Sequence, residues 1–210
     1  MQPSTLNSTS LAQGLDYLCA VDADLASVLE TLGPPPLWER PPGFPTLVHI
    51  ILEQQVSLAS ARAAFARLQD AAGTLTPQAF LRFAPEELKK IGFSRQKAGY
   101  CREIARSILN KELDLQELEW MDDDSVRSTL LKVKGIGPWT ADIYLLMVLF
   151  RPDSWPSGDL ALAAAAQELK GLPTRPTQRE LDAIAQTWQP WRAVAARLLW
   201  HFYLRNRAQA

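Results

Sequence analysis

Cysteine and histidine, the usual ligands of structural zinc and iron–sulfur clusters, are scarce in this sequence. It contains two cysteines, Cys19 and Cys101, and two histidines, His49 and His201. A structural zinc site or an iron–sulfur cluster takes about four such ligands at characteristic spacings, which these residues do not match. We therefore expect neither zinc nor an iron–sulfur cluster, and two buried or half-buried thiols.

Long apolar runs are also missing. No run approaches the roughly 20 residues that a membrane-spanning helix requires. The first ten residues are rich in Ser, Thr, Asn and Gln and lack the basic start and apolar stretch of a signal peptide. We expect a flexible tail over residues 1–10, a folded domain over residues 11–210, no association with membranes, and a location inside the cell.

An excess of positive charge is absent, since the net charge is −1. The charges are nevertheless unevenly distributed: residues 85–111 carry seven Lys and Arg against three Glu, whereas residues 112–124 carry seven acidic side chains. The segment from residue 189 onwards contains four arginines and no acidic residue. A local basic face is what phosphate binding requires, although most charge clusters are only solvated helix faces. The four arginines are Arg192, Arg197, Arg205 and Arg207.

The alternation of apolar and polar residues that is typical of strands is missing as well. Apolar residues recur instead at the spacing of helices. Apolar residues recur at steps of three and four from Leu47 to Leu68, which predicts one long helix. Thr76 and Pro77 form a typical helix start. We predict an all-α fold of about ten helices, over residues 11–32, 47–68, 76–83, 85–91, 94–110, 122–132, 138–150, 159–169, 177–187 and 190–205.

The most informative segment is a tight turn between two of these helices. One predicted helix ends near Val133, Gly135-Ile136-Gly137 follows, and Pro138 opens the next helix. Glycines let backbone amides point outward at a helix N-terminus, which favours binding of a phosphate. Taken alone, this pattern is also compatible with a simple helix–helix turn.

Residues 131–142 resemble the hairpin of the helix-hairpin-helix (HhH-GPD) DNA glycosylase superfamily. In that family an essential aspartate follows a Gly/Pro-rich loop about 20 residues later, where this chain has Asp159. The resemblance is nearest to the inducible 3-methyladenine DNA glycosylase of bacteria and its yeast relatives, in a compact form without the N-terminal β domain of the best-known bacterial member. It implies two helical lobes around a DNA-binding cleft, one from residues of about 46–150 and the other from both chain ends. Further matches, over about 160 residues in all, are residues 51–57, 91–98, 188–192 and Trp200.

The resemblance makes Asp159 the catalytic residue, although Ser157-Gly158-Asp159 would equally suit a helix cap. Breaking an N-glycosidic bond develops positive charge on the sugar, which an adjacent carboxylate stabilises. The carboxylate can also orient or deprotonate the attacking water. An alkylated purine already carries positive charge, so its departure needs little acid assistance.

Trp139 occupies the position where bifunctional members such as endonuclease III carry the lysine that cleaves the strand. The resemblance therefore implies a monofunctional enzyme that hydrolyses the N-glycosidic bond of alkylated bases in double-stranded DNA. Two alternatives remain open: a glycosylase of the same fold for hypoxanthine, uracil or a mismatched base, and a non-enzymatic module that recognises lesions.

A flipped base is held between aromatic rings in enzymes of this type. The resemblance assigns Trp139 and Trp200 to this pocket, with Ile143 where the family usually has tyrosine and Tyr144 next to it. Trp155, Trp38 and Phe44 are further candidates for its walls, among which the sequence does not choose.

DNA contacts are also implied by the resemblance. Gln55 matches the wedge that fills the gap left by the flipped base, and the backbone carbonyls of Val133 and Gly135 match those that hold a sodium or potassium ion. We expect a monomer located in a bacterial cytoplasm (nucleoid) or a eukaryotic nucleus. The expected DNA-contacting residues are Gly135, Ile136, Gly137, Thr140, Gln54, Gln55, Ser57, Ser94, Arg95 and Lys97.

Overall fold

The computed structural model describes residues 5–209, with side chains through Arg207. This part of the chain is built from α-helices and two short 3-10 helices and contains no strand, which confirms the all-α prediction. The 3-10 helices are Glu117–Trp120 and Gln186–Trp188. The α-helices are α1 (Ser8–Val21), α2 (Ala23–Leu32), α3 (Phe44–Glu53), α4 (Leu58–Ala72), α5 (Pro77–Arg82), α6 (Pro85–Ile91), α7 (Arg95–Leu109), α8 (Asp123–Leu131), α9 (Pro138–Met147), α10 (Leu160–Leu169), α11 (Gln178–Ala185) and α12 (Arg192–Gln209).

Helix starts follow the capping chemistry of the sequence. The Thr76 hydroxyl accepts a hydrogen bond from the Ala79 amide at 3.1 Å and thereby caps α5. The Ser94 hydroxyl caps α7 in the same way, accepting from the Lys97 amide at 3.2 Å. Such side chains satisfy amide groups that the first helical turn leaves without a partner.

Two helices predicted as single are each divided. The predicted helix over residues 47–68 is α3 and α4, separated by a turn in which Gln55 has a left-handed backbone, φ +55°. The predicted helix over residues 11–32 is α1 and α2, and the carboxylate of Asp22 between them accepts hydrogen bonds from the first amides of α2. The apolar period continues across both breaks because the helices on either side pack against the same core.

The helix ends and the N-terminal segment also differ from prediction. Helix α9 ends at Met147 rather than at 150, and α12 starts at Arg192 rather than at 190. The expected flexible tail over residues 1–10 is wrong from Leu6 onwards, since Leu6 is buried, its amide donates to the Phe150 carbonyl, and Asn7 caps α1. Residues 1–4 of that tail lie outside the described residues.

The chain forms two compact units. The central unit is Arg40–Tyr144, in which α7 packs against α3, α5 and α6. The terminal unit combines the segment up to Glu39 with the segment from Leu145, and in it α12 packs against α1, α2 and α10. The sequence predicts the central lobe at about residues 46–150, and the observed central unit begins and ends slightly earlier than that.

Within residues 5–209, none of the helices combines the length and the apolar character that crossing a membrane requires.

Candidate active site

Asp159 lies at the N-terminus of α10 in the terminal unit and is 9% exposed. Its Oδ1 accepts hydrogen bonds from the Ala161 and Leu162 amides, both at 2.9 Å, and from the indole Nε1 of Trp200 at 3.3 Å. The residue is therefore a helix cap, as its sequence context suggests, and it is also held by an aromatic side chain from α12. These contacts fix the orientation of a carboxylate in a nearly dry environment, where its field is stronger than in water.

The loop before Asp159 is held by a residue that sequence analysis missed. Asp182 of α11 accepts hydrogen bonds from Trp155 Nε1 at 2.9 Å and from the Ser157 hydroxyl at 2.6 Å. Gln178 donates to the same hydroxyl at 2.8 Å. No motif marks Asp182, which reads in the sequence as one more acidic residue of an amphipathic helix.

Of the three additional aromatic candidates, the structure brings Trp38 to the Asp159 site. The Trp38 and Trp200 rings lie 6.3 Å apart between centroids, at 77° to each other. Trp155 instead packs against Trp188, and Phe44 packs in the core of the central unit. Trp38 is half-buried, whereas Trp200 is 8% exposed.

The hairpin of the central unit uses its two glycines differently. Gly135 has φ +102°, and a Cβ there would collide with the Tyr100 side chain. A Cβ at Gly137 would meet open space. Gly135 is thus required by the fold, whereas Gly137 leaves the space in front of α9 open to a ligand.

Gln54 braces this hairpin from the end of α3. Its Nε2 donates to the Gly135 carbonyl at 3.2 Å and to the Thr140 hydroxyl at 2.9 Å. Thr140 is 1% exposed and therefore lies inside the unit rather than on a DNA-facing surface, contrary to expectation. Gln54 is half-buried, and its expected contact with DNA stays a prediction. Gln55 is exposed, and Ser57 caps α4 by accepting from the Ser60 amide.

Among the residues expected to contact phosphates near α7, the structure leaves Arg95 exposed. Lys97 instead donates to the Leu52 carbonyl at 2.7 Å, near the C-terminus of α3, and burial lowers the pKa of its ammonium group. Ser94 serves as the cap of α7. Lys97 is therefore better explained as a link between α7 and α3.

Two residues expected in the base pocket lie in the core of the central unit. Ile143 is 2% exposed and Tyr144 fully buried, and burial raises the pKa of the Tyr144 hydroxyl. Neither offers a surface on which a base could stack, so we leave both out of the proposed pocket. Trp139, the second residue of α9, is half-buried, and Ile136 of the hairpin is 4% exposed.

The C-terminal arginines do not form one basic face. Arg192 pairs with Asp153 at 2.7 Å. Arg197 is fully buried, whereas Arg205 and Arg207 are exposed. Within residues 5–209 no group of three or more His, Cys, Asp or Glu side chains is arranged to hold a metal ion.

Comparison with curated proteins identifies relatives that span most of this chain. An alkylbase DNA glycosidase-like protein of Schizosaccharomyces pombe is 28% identical over 191 residues, which are 88% of this chain and 90% of that protein. The DNA-3-methyladenine glycosylase of Bacillus subtilis is 32% identical over 119 residues, but the match spans 57% of this chain and only 39% of that protein.

Solved structures share the fold. A DNA-3-methyladenine glycosidase from Bacillus halodurans has a TM-score of 0.75 at 28% identity and covers 100% of this chain and 95% of its own. The Schizosaccharomyces pombe 3-methyladenine DNA glycosylase, in complex with abasic DNA, has a TM-score of 0.83 and covers 90% and 95%. At 24% identity, this second likeness establishes the fold alone.

The sequence profile of the HhH-GPD superfamily of base excision DNA repair proteins matches residues 48–190, well over half of the chain. This match includes the hairpin glycines, Trp139 and Asp159, and it confirms the resemblance drawn from these residues. The chain belongs to the HhH-GPD superfamily of base excision DNA repair proteins.

Proposed function

We propose that this protein is a monofunctional DNA glycosylase that hydrolyses the N-glycosidic bond of alkylated bases, of the 3-methyladenine and 7-methylguanine type, in duplex DNA. The observation that carries the proposal is the Asp159 carboxylate, which is fixed by the Trp200 indole N–H at the N-terminus of α10. The names of the relatives from Schizosaccharomyces pombe and Bacillus subtilis support the same substrate class.

Asp159 acts on the sugar in this mechanism. The bond between C1′ and the base nitrogen breaks, its electron pair leaves with the base, and positive charge develops on the sugar ring. The carboxylate stabilises this charge and orients a water whose oxygen bonds to C1′, while a proton of that water passes to the carboxylate or to solvent. A base that carries positive charge before cleavage leaves as a neutral molecule and needs no acid.

DNA is held by the central unit in this proposal. The open space at Gly137 gives a phosphate access to the first amides of α9. Exposed Gln55, presented by its left-handed turn, enters the duplex and hydrogen-bonds the base left without a partner. Arg95 contacts a phosphate. The enzyme works as a monomer where the DNA is, in the nucleoid of a bacterial cell or in the nucleus.

Trp139 determines the type of reaction in this proposal. No amine stands at this position to form a Schiff base with the sugar, so water is the nucleophile and the strand remains intact. An indole face also favours a cationic base, by about 0.5–2 kcal/mol.

A monovalent cation at the hairpin is part of the proposal. Val133 and Gly135 would hold it, since carbonyl oxygens suit such an ion and would add positive charge beside the phosphate. The Val133 carbonyl already accepts from the Ile136 amide, and that of Gly135 from Gln54, so each would use its second lone pair. Replacing potassium by a bulky organic cation at constant ionic strength should weaken DNA binding, and unchanged affinity would contradict this cation.

A base-release assay tests the proposed function. Duplex DNA treated with a methylating agent is incubated with the protein, free bases are separated by chromatography, and strand breaks are scored before and after alkali. We expect 7-methylguanine or 3-methyladenine in the soluble fraction and breaks only after alkali. Lesion binding without release of any base, including hypoxanthine, uracil and mismatched bases, would instead indicate a non-enzymatic module.

A further inference from the structure

The aromatic pair beside Asp159 is asymmetric. Trp200 is 8% exposed and donates its indole N–H to the Asp159 carboxylate at 3.3 Å. Trp38 meets the Trp200 ring edge-on, at 6.3 Å between centroids, and keeps part of its surface accessible. In this pair, Trp38 therefore has more surface to offer to a ligand.

The backbone at Trp38 is unusual. Its φ of +49° lies in the left-handed region, which large side chains rarely adopt. Such conformations persist where the surrounding structure enforces them, and they are concentrated at functional sites. A packing role would not require one, because an ordinary extended residue can also fill a core.

Two residues of α12 contact the segment that carries Trp38. Arg197 is fully buried and donates to the Leu37 carbonyl at 3.1 Å, directly before Trp38, and also to the carbonyls of Leu146 and Ala193. Burial lowers the pKa of this guanidinium group to about 10. The His201 ring lies 6.5 Å from the Trp38 ring, at 61°. Burying a charged group in the core costs free energy. Here the buried Arg197 guanidinium group holds the segment that carries Trp38 through its hydrogen bond to the Leu37 carbonyl.

We propose that Trp38 is a specificity-determining residue of the Asp159 site, where its indole receives the extruded base together with Trp200 and favours positively charged purines over neutral ones. The inference rests on the proposed function. Its physical basis is the attraction between a cation and the electron-rich face of an indole ring, which exceeds that of a phenyl ring and is absent from an aliphatic side chain.

The test compares Trp38→Phe and Trp38→Leu with the unaltered protein. Single-turnover release is measured from duplexes that carry either 7-methylguanine, which is cationic, or hypoxanthine, which is neutral. Binding of both duplexes by the same variants in an Asp159→Asn background gives the comparison where release is too slow to follow. Trp120→Leu is the matched control, because Trp120 is 66% exposed on a 3-10 helix of the central unit.

We expect the preference for 7-methylguanine over hypoxanthine to fall about 2- to 30-fold in Trp38→Leu and less in Trp38→Phe, as loss of a cation–π contact predicts. Trp120→Leu should keep the preference of the unaltered protein. Equal losses on both bases, or no loss, would overturn the role of Trp38 and leave the proposed function intact. If the unaltered protein releases neither base nor any other methylated base, the proposed function itself fails.

Discussion

The two hairpin glycines predict opposite effects of the same substitution. Gly135→Ala places a methyl group against the Tyr100 side chain and holds alanine at φ +102°. Gly137→Ala places the methyl group in open space. If Gly135 serves the fold and Gly137 serves phosphate binding, the first variant should lose stability and the second should lose affinity for DNA.

The magnitudes follow from the backbone geometry. A residue forced into a sparsely populated conformation costs about 1–3 kcal/mol. In a protein of this size each kcal/mol shifts the Tm by roughly 2–4 °C, so the backbone strain alone should lower the Tm of Gly135→Ala by about 2–12 °C. The collision with Tyr100 adds to this loss. Gly137→Ala removes no contact and restricts the unfolded chain, so its Tm should be unchanged or slightly higher.

Thermal unfolding by circular dichroism gives the first quantity, and fluorescence anisotropy with a labelled duplex at a fixed salt concentration gives the second. A lost hydrogen bond to a charged phosphate is worth about 1.5–3 kcal/mol, so Gly137→Ala should bind DNA at least about tenfold more weakly. If Gly137→Ala binds DNA like the unaltered protein, or unfolds as early as Gly135→Ala, this division of roles is refuted.

Three further predictions concern polar contacts within the two units. Gln54→Leu leaves the buried Thr140 hydroxyl and the half-buried Gly135 carbonyl without this donor and should cost about 1–3 kcal/mol, measured by urea unfolding. The same change at its exposed neighbour, Gln55→Leu, should not. Asp182→Leu frees the loop before the Asp159 carboxylate and should slow single-turnover base release without changing DNA affinity. Asp182→Asn should restore part of the rate, and equal rates in both variants would contradict this positioning role. Although burial opposes the charge on Asp22, hydrogen bonding by Lys170 lowers its pKa, so its stabilisation is present at neutral pH and is lost as pH falls through the folded-state pKa. The stability difference between the unaltered protein and Asp22→Asn should therefore shrink below about pH 4, and a pH-independent difference would contradict the assignment.

Short-range chemistry accounts for most of what the sequence predicted. Helix starts at Thr76, Ser94 and Asp159 were recognisable because capping depends on one side chain and the amides two or three residues later. The break at Gln55 was not recognisable, because the apolar period continues through it and glutamine carries no signal for a left-handed backbone.

Tertiary placement was the part that the sequence left open. Arg197 read as one of a group of free basic residues, yet its partners are backbone carbonyls from segments about 50 and 160 residues away. Ile143 and Tyr144 were expected in the pocket because the first occupies a family position and the second adjoins it, but packing in the central unit buries both. Trp38 and Asp182 became site residues only through contacts with distant segments.

The central claim, catalysis by the Asp159 carboxylate, is tested most directly by Asp159→Asn in single-turnover release of 7-methylguanine from duplex DNA. Asparagine keeps an oxygen that can accept from the first amides of α10 and from Trp200, so folding and DNA affinity should remain close to those of the unaltered protein. Asp16→Asn, which alters an exposed carboxylate of α1 in the same unit, is the control. The account predicts that release slows by orders of magnitude in Asp159→Asn and not in Asp16→Asn; a rate in Asp159→Asn near that of the unaltered protein would contradict it.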